Sequence, residues 1–285
     1  MTFELSIDLE EWFHAELVRK YNPIRQKQAV QATAPILDLL ERKRAKATFF
    51  VLGEVAEAQP DLIREIHSHG HEIASHGFSH KRLHELNPSS FARELELTEQ
   101  ALFKAVGIRP KGFRAATFSL DQSTAWALQV LTERGYDYDS SLFPGSTPLY
   151  GVKNAHKSLH FANQSNLTTP KERGNLVEAP MSVASFFGMQ LPVGGFELRF
   201  LPYWLSKKAL ENSERQTGFA IVYLHPWETY AKTPRQLKMN PIDATVTYYG
   251  IETGLEKLNK LLDDFEFTST LTETTRRFKK NQING

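Results

Sequence analysis

Six of the ten histidines in the chain, His67, His69, His71, His76, His80 and His84, fall within eighteen residues. Imidazoles at that density are either a solvated edge or a means of holding something, and spacing separates the two. His76 and His80 stand four apart after a short apolar run, so a helical turn would bring both rings within reach of one ion. Gly77, with Ser75 and Ser79 on either side, suggests a strand end tipping into a loop, where α/β folds carry their sites. His67, His69 and His71 belong to a helix end and a strand start and read as solvated or capping groups.

Two imidazoles need a carboxylate to complete a facial ligand set that leaves positions open for water. SIDLEEW supplies candidates. Side chains alternate along a strand, so Asp8 and Glu10 share one face while Leu9 and Glu11 take the other. Two carboxylates on one face of an apolar strand end are costly unless paired or used. Arg114 in GFRAATFSL, Asp139 in YDYDSS and His225 in IVYLHPWE each end a strand-like segment. A lone His there is commonly a satisfied core residue. Yet Asp8, Glu10, His76, Arg114, Asp139 and His225 all fall at the C-terminal ends of expected parallel strands, the catalytic edge of a barrel.

The elements that must position these groups alternate at short spacing. FELSIDL predicts a half-buried strand, Arg25 to Arg44 a helix, and ATFFVLG a buried strand. PDLIREIHSHG is a helix opened by Pro60 and stopped by Gly70, HEIAS a short strand, and NPSSFARELELTEQALFKAVG a helix with a Ser cap. KGFRA, a helix over roughly 121 to 134 and YDYDSS continue the alternation, which argues for a parallel sheet covered by helices. Residues 144–175 are rich in Gly, Pro, Asn, Ser and Thr and read as an irregular insertion. LVEAP and FAIVYLH read as further strands, GIETGLEKLNKLLDDF as a helix, FEFTSTL as a last strand, and 276–285 as a polar tail that frays. No repeat or linker divides the chain, so 1–275 is expected to form one domain.

Thirty-four basic residues against thirty-three acidic ones give a net charge of +1, which offers no electrostatic case for nucleic acid or an anionic membrane surface. There is no cysteine, so disulfides are excluded and a metal must be held by nitrogen and oxygen, a set that suits zinc and admits cobalt or nickel. No stretch has the length of an apolar membrane span, and the N-terminal residues lack the pattern of a signal peptide, so a cytoplasmic protein is expected. A homo-oligomer is compatible with this composition.

The motifs, taken in order, resemble the polysaccharide deacetylase family, the carbohydrate esterases that share a NodB homology domain. SIDLEEW stands at the acidic first motif, SHGFSH preceded by GHEIA at the His-x-x-x-His second, GFRAATFS at the Arg-containing third, YDYDSS at the fourth and YLHPWE at the Leu-His fifth. GGFELRFLPYW further resembles a branch associated with exopolysaccharide biosynthesis loci. The resemblance implies a distorted (β/α) barrel with about seven parallel strands. It implies a metal-dependent hydrolase that removes N-acetyl groups from an amino sugar in a polysaccharide, oligosaccharide or glycolipid precursor. Carried over by residue, it makes Asp8 the general base, Glu10, His76 and His80 the metal ligands, Arg114 the group orienting Asp8, His225 the general acid and Asp139 the group that holds and tunes His225. The chain departs in having Leu9 between its first two acids, and in having Ala115 and Ala116 where the third motif usually has Pro, so the backbone donor for an oxyanion falls to one of these two. Trp12, Phe13, Tyr150, Phe196, Trp204 and Trp227 lie near the motifs and are candidates to line a sugar groove. Two other readings stay open: hydrolysis of a linear or cyclic non-sugar amide, and a non-catalytic saccharide-binding relative.

Overall fold

A computed structural model describes residues 2–186 and 189–284. In chain order the strands are β1 Phe3–Leu9, β2 Thr48–Val51, β3 Glu72–Ser75, β4 Gly112–Phe113, β5 Tyr138–Asp139, β6 His160–Phe161, β7 Val177–Glu178, β8 Val183–Phe186, β9 Met189–Pro192 and β10 Ala220–Leu224. The helices are α1 Glu16–Arg19, α2 Ala29–Lys43, α3 Gly53–Ala58, α4 Pro60–Ser68, α5 Pro88–Val106, α6 Trp126–Glu133, α7 Gly195–Phe200, α8 Tyr203–Thr217, α9 Pro241–Tyr248, α10 Ile251–Asp264 and α11 Leu271–Asn284. One sheet runs β10-β1-β2-β3-β4-β5-β7-β6. Its first seven strands are parallel, and β6 adds antiparallel at the edge. This is the distorted barrel with seven parallel strands expected above. The sheet curls strongly. The Arg114 side chain, just past β4, bonds Ser6 and Asp8 of β1, although three inter-strand spacings would separate them by about 14 Å in a flat sheet.

The alternation in FELSIDL serves two buried faces rather than one. Every residue of β1 is buried. Leu5, Ile7 and Leu9 pack with Ile36, Leu40, Leu258 and Leu261 from the covering helices, while Ser6 and Asp8 meet Arg114 inside the curl. β1 is a central strand between β10 and β2, so the half-buried reading is corrected. The cap of α5 is Asn87, whose side chain accepts the Ser90 amide at 2.9 Å; Ser90 Oγ returns the bond to the Asn87 amide, a reciprocal box.

Two expectations at the C-terminus fail. FEFTSTL is not a strand: Phe265 and Phe267 enter the core from an extended segment. The polar tail is helix α11, because Leu271, Thr275 and Phe278 fall at helical spacing beneath its basic residues. Leu271 and Phe278 pack on the core, and the Phe278 ring lies 5.4 Å from that of Phe161. The helix is held at the N-terminal end of the barrel by two acids. Glu72 accepts the Thr272 amide at 2.9 Å, and Glu4 accepts the hydroxyls of Ser269 and Thr274 at 2.7 and 2.5 Å. Among the described residues no helix is long and apolar enough to cross a membrane.

Burial, only partly offset by those hydroxyl bonds, pushes Glu4 up to about 7, and the nearby Glu72 charge adds to the rise. A carboxyl raised in the folded state binds protons preferentially there. Its contribution to stability is therefore complete below about 4.5, the ordinary value, and is lost as pH rises through about 7. Glu4→Gln is expected to raise unfolding free energy at pH 8 by on the order of 1–3 kcal/mol relative to its effect at pH 4. Urea unfolding at the two pH values checks this. An equal effect at both would show that Glu4 is not held protonated by the fold.

Candidate active site

The strand ends deliver their polar residues to one place. Glu10, His76 and His80 offer ligand atoms that lie within 4.8 Å of one another, and all three are buried. Each is held locally. His76 Nδ1 lies 2.9 Å from the Arg114 carbonyl oxygen, which makes Nδ1 the protonated nitrogen and leaves Nε2 as the free donor. Gly77 and His80 both take the left-handed backbone, at φ 77° and 56°, and this turn folds the second imidazole back toward the first, with ring centroids 5.4 Å apart. Glu10 Oε1 accepts the Trp227 indole N–H at 3.1 Å.

The structure also separates Glu10 from Glu11. Glu11 Oε2 accepts the backbone amides of Gln28 and Ala29 at 2.7 and 3.1 Å, so it caps the N-terminus of α2, where a carboxylate is favoured by unpaired amides and the helix dipole. Glu10 turns to the imidazoles. Its Oε2 lies 2.7 Å from His80 Nε2 but makes no hydrogen bond, and His80 Nδ1 is likewise buried without a partner among the described residues. Burial alone would raise the Glu10 pKa; the imidazoles of His80 and His225 outweigh it and hold the carboxyl below its usual range. Orphaned buried donors in a set of two imidazoles and one carboxylate fit a divalent cation of the zinc type.

Beside this cluster, Asp8 accepts Arg114 Nη1 through Oδ1 at 2.7 Å. The guanidinium is completed by Ser6 Oγ, the Ser140 carbonyl oxygen and Ser140 Oγ at 2.9, 3.1 and 3.0 Å. Asp8 Oδ2 faces His225 Nε2 at 4.0 Å, and Glu10 Oε1 lies 3.7 Å from the same nitrogen.

His225 is held by a residue that the sequence reading missed. Its Nδ1 lies 2.7 Å from Glu228 Oε2, which also accepts the His225 amide at 3.0 Å. Glu228 in turn takes Arg199 Nε and Nη2 at 3.2 and 3.0 Å. Burial would lower the His225 pKa, but the carboxylates of Glu228, Glu10 and Asp8 prevail and push it up to about 9. Burial of Glu228 is outweighed by Arg199 and His225, which hold it at about 2. The signal was present in HPWE: an acid three residues after the first residue of a turn is the spacing of a capping box.

Asp139, expected to hold His225, has other partners. Asp139 accepts Ser141 Oγ at 2.6 Å and stands in register with Glu178 on β7. Burial, against the hydrogen bonds it accepts, lifts Asp139 to about 6. Glu178 is raised well above its ordinary value by burial and by Asp139. The two acids form a pair, and among the described residues His225 is bonded through Nδ1 by Glu228 instead.

Neither alanine expected as a backbone donor lines the cavity. The Ala115 amide is spent on Ser141 Oγ at 2.8 Å. Thr117 and Phe118, not Ala115 or Ala116, line the site's cavity of about 130 Å³. Thr117 and Phe118 stand at φ 55° and 47°, a conformation costly for a β-branched residue. Of the aromatic candidates, Tyr150, Phe196 and Trp227 line this cavity. Trp12 and Phe13 are core instead, packed with Val18 and Tyr248, and Trp204 stands outside it on the surface. Of the clustered histidines, His67 and His69 are exposed, His84 pairs with Asp121 at 2.7 Å, and His71 is buried against the Ala47 amide rather than solvated.

Fold and site together define a (β/α)-barrel protein with a carboxylate–imidazole centre at its strand ends. Residues 24–138 match the polysaccharide deacetylase family model, and residues 140–274 match a domain of unknown function, DUF3473. The second match contains Arg199, His225 and Glu228, so the site draws on both. Over 101 residues the chain is 35% identical to a peptidoglycan-N-acetylglucosamine deacetylase of Bacillus cereus, covering 35% of this chain and 37% of that protein. Over 73 residues it is 38% identical to a chitooligosaccharide deacetylase of Rhizobium leguminosarum bv. trifolii, covering 26% of this chain and 34% of that protein. The chain thus matches about a third of the length of these relatives. A Mycobacterium smegmatis protein assigned to the polysaccharide deacetylases shares the fold at a TM-score of 0.63 and 17% identity, over 99% of this chain and 91% of that one. The fold is also that of a mutant pseudoenzyme of carbohydrate esterase family 4, at a TM-score of 0.52 and 13% identity, over 96% of this chain and 67% of that one. Fold alone therefore does not carry activity.

If Glu228 rather than Asp139 tunes His225, removing its charge lowers the pKa of the imidazole. Glu228→Gln is expected to reduce kcat at least tenfold and to move the alkaline limb of the pH–rate profile toward lower pH. Asp139→Asn is expected to leave that limb in place. Profiles of acetate release from an N-acetylated oligosaccharide check the pair, and a limb that moves only in Asp139→Asn would reverse the assignment.

Proposed function

We propose that the protein is a metal-dependent hydrolase that removes N-acetyl groups from an amino sugar, with N-acetylglucosamine polymers or their precursors as the substrate class and a cytoplasmic location. The observation that carries this reading is the convergence of Glu10, His76 and His80 within 4.8 Å of one another beside an Asp8–His225 pair 4.0 Å apart. The family match and the names of the relatives support the substrate class.

Glu10, His76 and His80 would hold the ion, zinc being the best fit, with cobalt or nickel able to substitute. Once bound, such an ion supplies Lewis acidity that acidifies water and stabilises negative charge on an amide oxygen. The remaining steps belong to the chain's own residues. Arg114 occupies Asp8 Oδ1, which leaves Oδ2 to take the proton from the attacking water. His225, cationic at neutral pH and fixed through Nδ1 by Glu228, donates from Nε2 to the nitrogen of the departing amine as the C–N bond breaks. Acetate and a free amino sugar leave. Asp8 Oδ2 and His225 Nε2 lie 4.0 Å apart on one wall of the cavity, close enough for both to reach one reacting group beside them.

The test is acetate release from N-acetylglucosamine oligomers by the purified protein. Activity is expected to disappear on chelation and to return with a divalent ion. Asp8→Asn should lower kcat about 100-fold or more while metal content stays at the wild-type level. Wild-type turnover in Asp8→Asn would remove Asp8 as the base.

A further inference from the structure

A cavity of about 130 Å³ is well below the roughly 300–1,000 Å³ of sites that enclose a small ligand. It takes a substituent, not a chain of sugars. The rest of a polymer must lie outside it. Next to it, a cleft of about 710 Å³ runs between the end of α7, α9 and the start of α10. The two spaces share Arg199 as a wall. They are also joined by aromatic rings. Phe196, in the inner cavity, stacks on Phe200 with centroids 5.1 Å apart at 26°, and Phe200 meets Tyr249 at 5.4 Å. Phe200 and Tyr249 line the cleft with about half of their surface exposed.

We propose that this cleft is a saccharide subsite, adjoining the inner cavity across Arg199, that takes the neighbouring N-acetylhexosamine residues of an oligosaccharide. The choice of sugar rests on the deacetylase reading above. The shape of the proposal rests on the cleft itself. Sugars offer apolar C–H faces rimmed by hydroxyls, and they bind where aromatic rings lie among hydrogen-bonding groups. Here the two open rings are flanked by Arg235, Glu252 and Thr253. Three cations line the cleft. Arg235 is paired with Glu252 at 2.8 Å and Arg199 with Glu228 at 3.0 Å, while Lys257 is turned onto backbone carbonyl oxygens. The cleft thus offers donors and acceptors with little uncompensated charge. A neutral glycan fits this better than a polyanion.

The floor is built rather than loose. Lys257 Nζ donates to the carbonyl oxygens of Arg199 and Leu201 at 2.6 and 2.7 Å. Arg199 bonds the carbonyl oxygens of Val246 and Tyr249. Gly250 takes φ 72°, and any Cβ there would meet the Arg199 carbonyl oxygen at 2.8 Å. These contacts pin α7 against the α9–α10 turn and fix the spacing of the rings, so little ordering is required on binding. Arg199 also supports Glu228, which ties the cleft to His225.

The test uses the full chain carrying Asp8→Asn, so that bound oligomer is not consumed, and β-1,4-linked N-acetylglucosamine oligomers as the probe. Calorimetry should show affinity rising from the disaccharide to the pentasaccharide. Adding Phe200→Ala or Tyr249→Ala should reduce that rise about tenfold, the size of one lost ring contact. Both side chains are half exposed, and circular dichroism of each variant checks that the fold is kept. An unchanged rise in both variants, or no binding of any oligomer, would overturn the subsite. If oligomers bind with the expected dependence but the wild-type protein releases no acetate, the subsite stands and the reaction assignment falls.

Discussion

The Arg114 guanidinium is the group on which the arrangement turns. It is wholly buried, with 0% exposure, and an arginine cannot shed its charge to suit such surroundings. The chain must satisfy it. Asp8 and Ser6 do so from β1, Ser140 from the end of β5, and the face of Phe50 on β2 covers it at 4.0 Å. One cation therefore ties together strands that a flatter sheet would hold apart. Removing either member of such a buried pair costs about 3–5 kcal/mol, because the survivor is left charged and unpaired. The same bond decides how Asp8 stands, with one oxygen occupied and the other turned to His225. Stability and acid–base geometry here share a cause.

The second half of the barrel supplies the opposite wall. His225 ends the apolar strand β10, and Pro226 turns the chain at once so that Glu228 folds back on the imidazole. Arg199 holds Glu228 and carries the link to α7 and α9. The acid in the proposed reaction is thus governed by residues within 140–274, whereas the base and ligands come from the N-terminal strands. Asp139 and Glu178 are joined through Ser141 to the Ala115 amide, and so support the loop after β4.

How much of this was legible depended on whether a residue acts locally or across the fold. The seven parallel strands could be read because their apolar runs are short, regularly spaced and bounded by Gly or polar residues. Glu10 could be told from Glu11 by alternation alone, and the reason they diverge is the α2 terminus that Glu11 caps. The His76–His80 pair was legible from its spacing, but a turn with left-handed Gly77 and His80, not the expected helical turn, brings the rings together. Partners separated in sequence were not: Arg199 lies 29 residues from Glu228, and nothing in GGFELRF marks it as a counter-ion. Trp12 and Phe13 misled because proximity to a motif in sequence says little about which way a ring packs. α11 was missed because its charge hid the spacing of Leu271, Thr275 and Phe278.

The central claim is that Glu10 closes an ion site with His76 and His80 while its neighbour Glu11 serves a helix. Zinc binding isotherms of the wild-type protein, Glu10→Gln and Glu11→Gln, recorded by calorimetry on freshly chelated protein, test it most directly. One strong site in the wild type, weakened at least tenfold by Glu10→Gln and left near wild type by Glu11→Gln, is the expected result. Equal affinity in all three proteins, or a loss confined to Glu11→Gln, would contradict it.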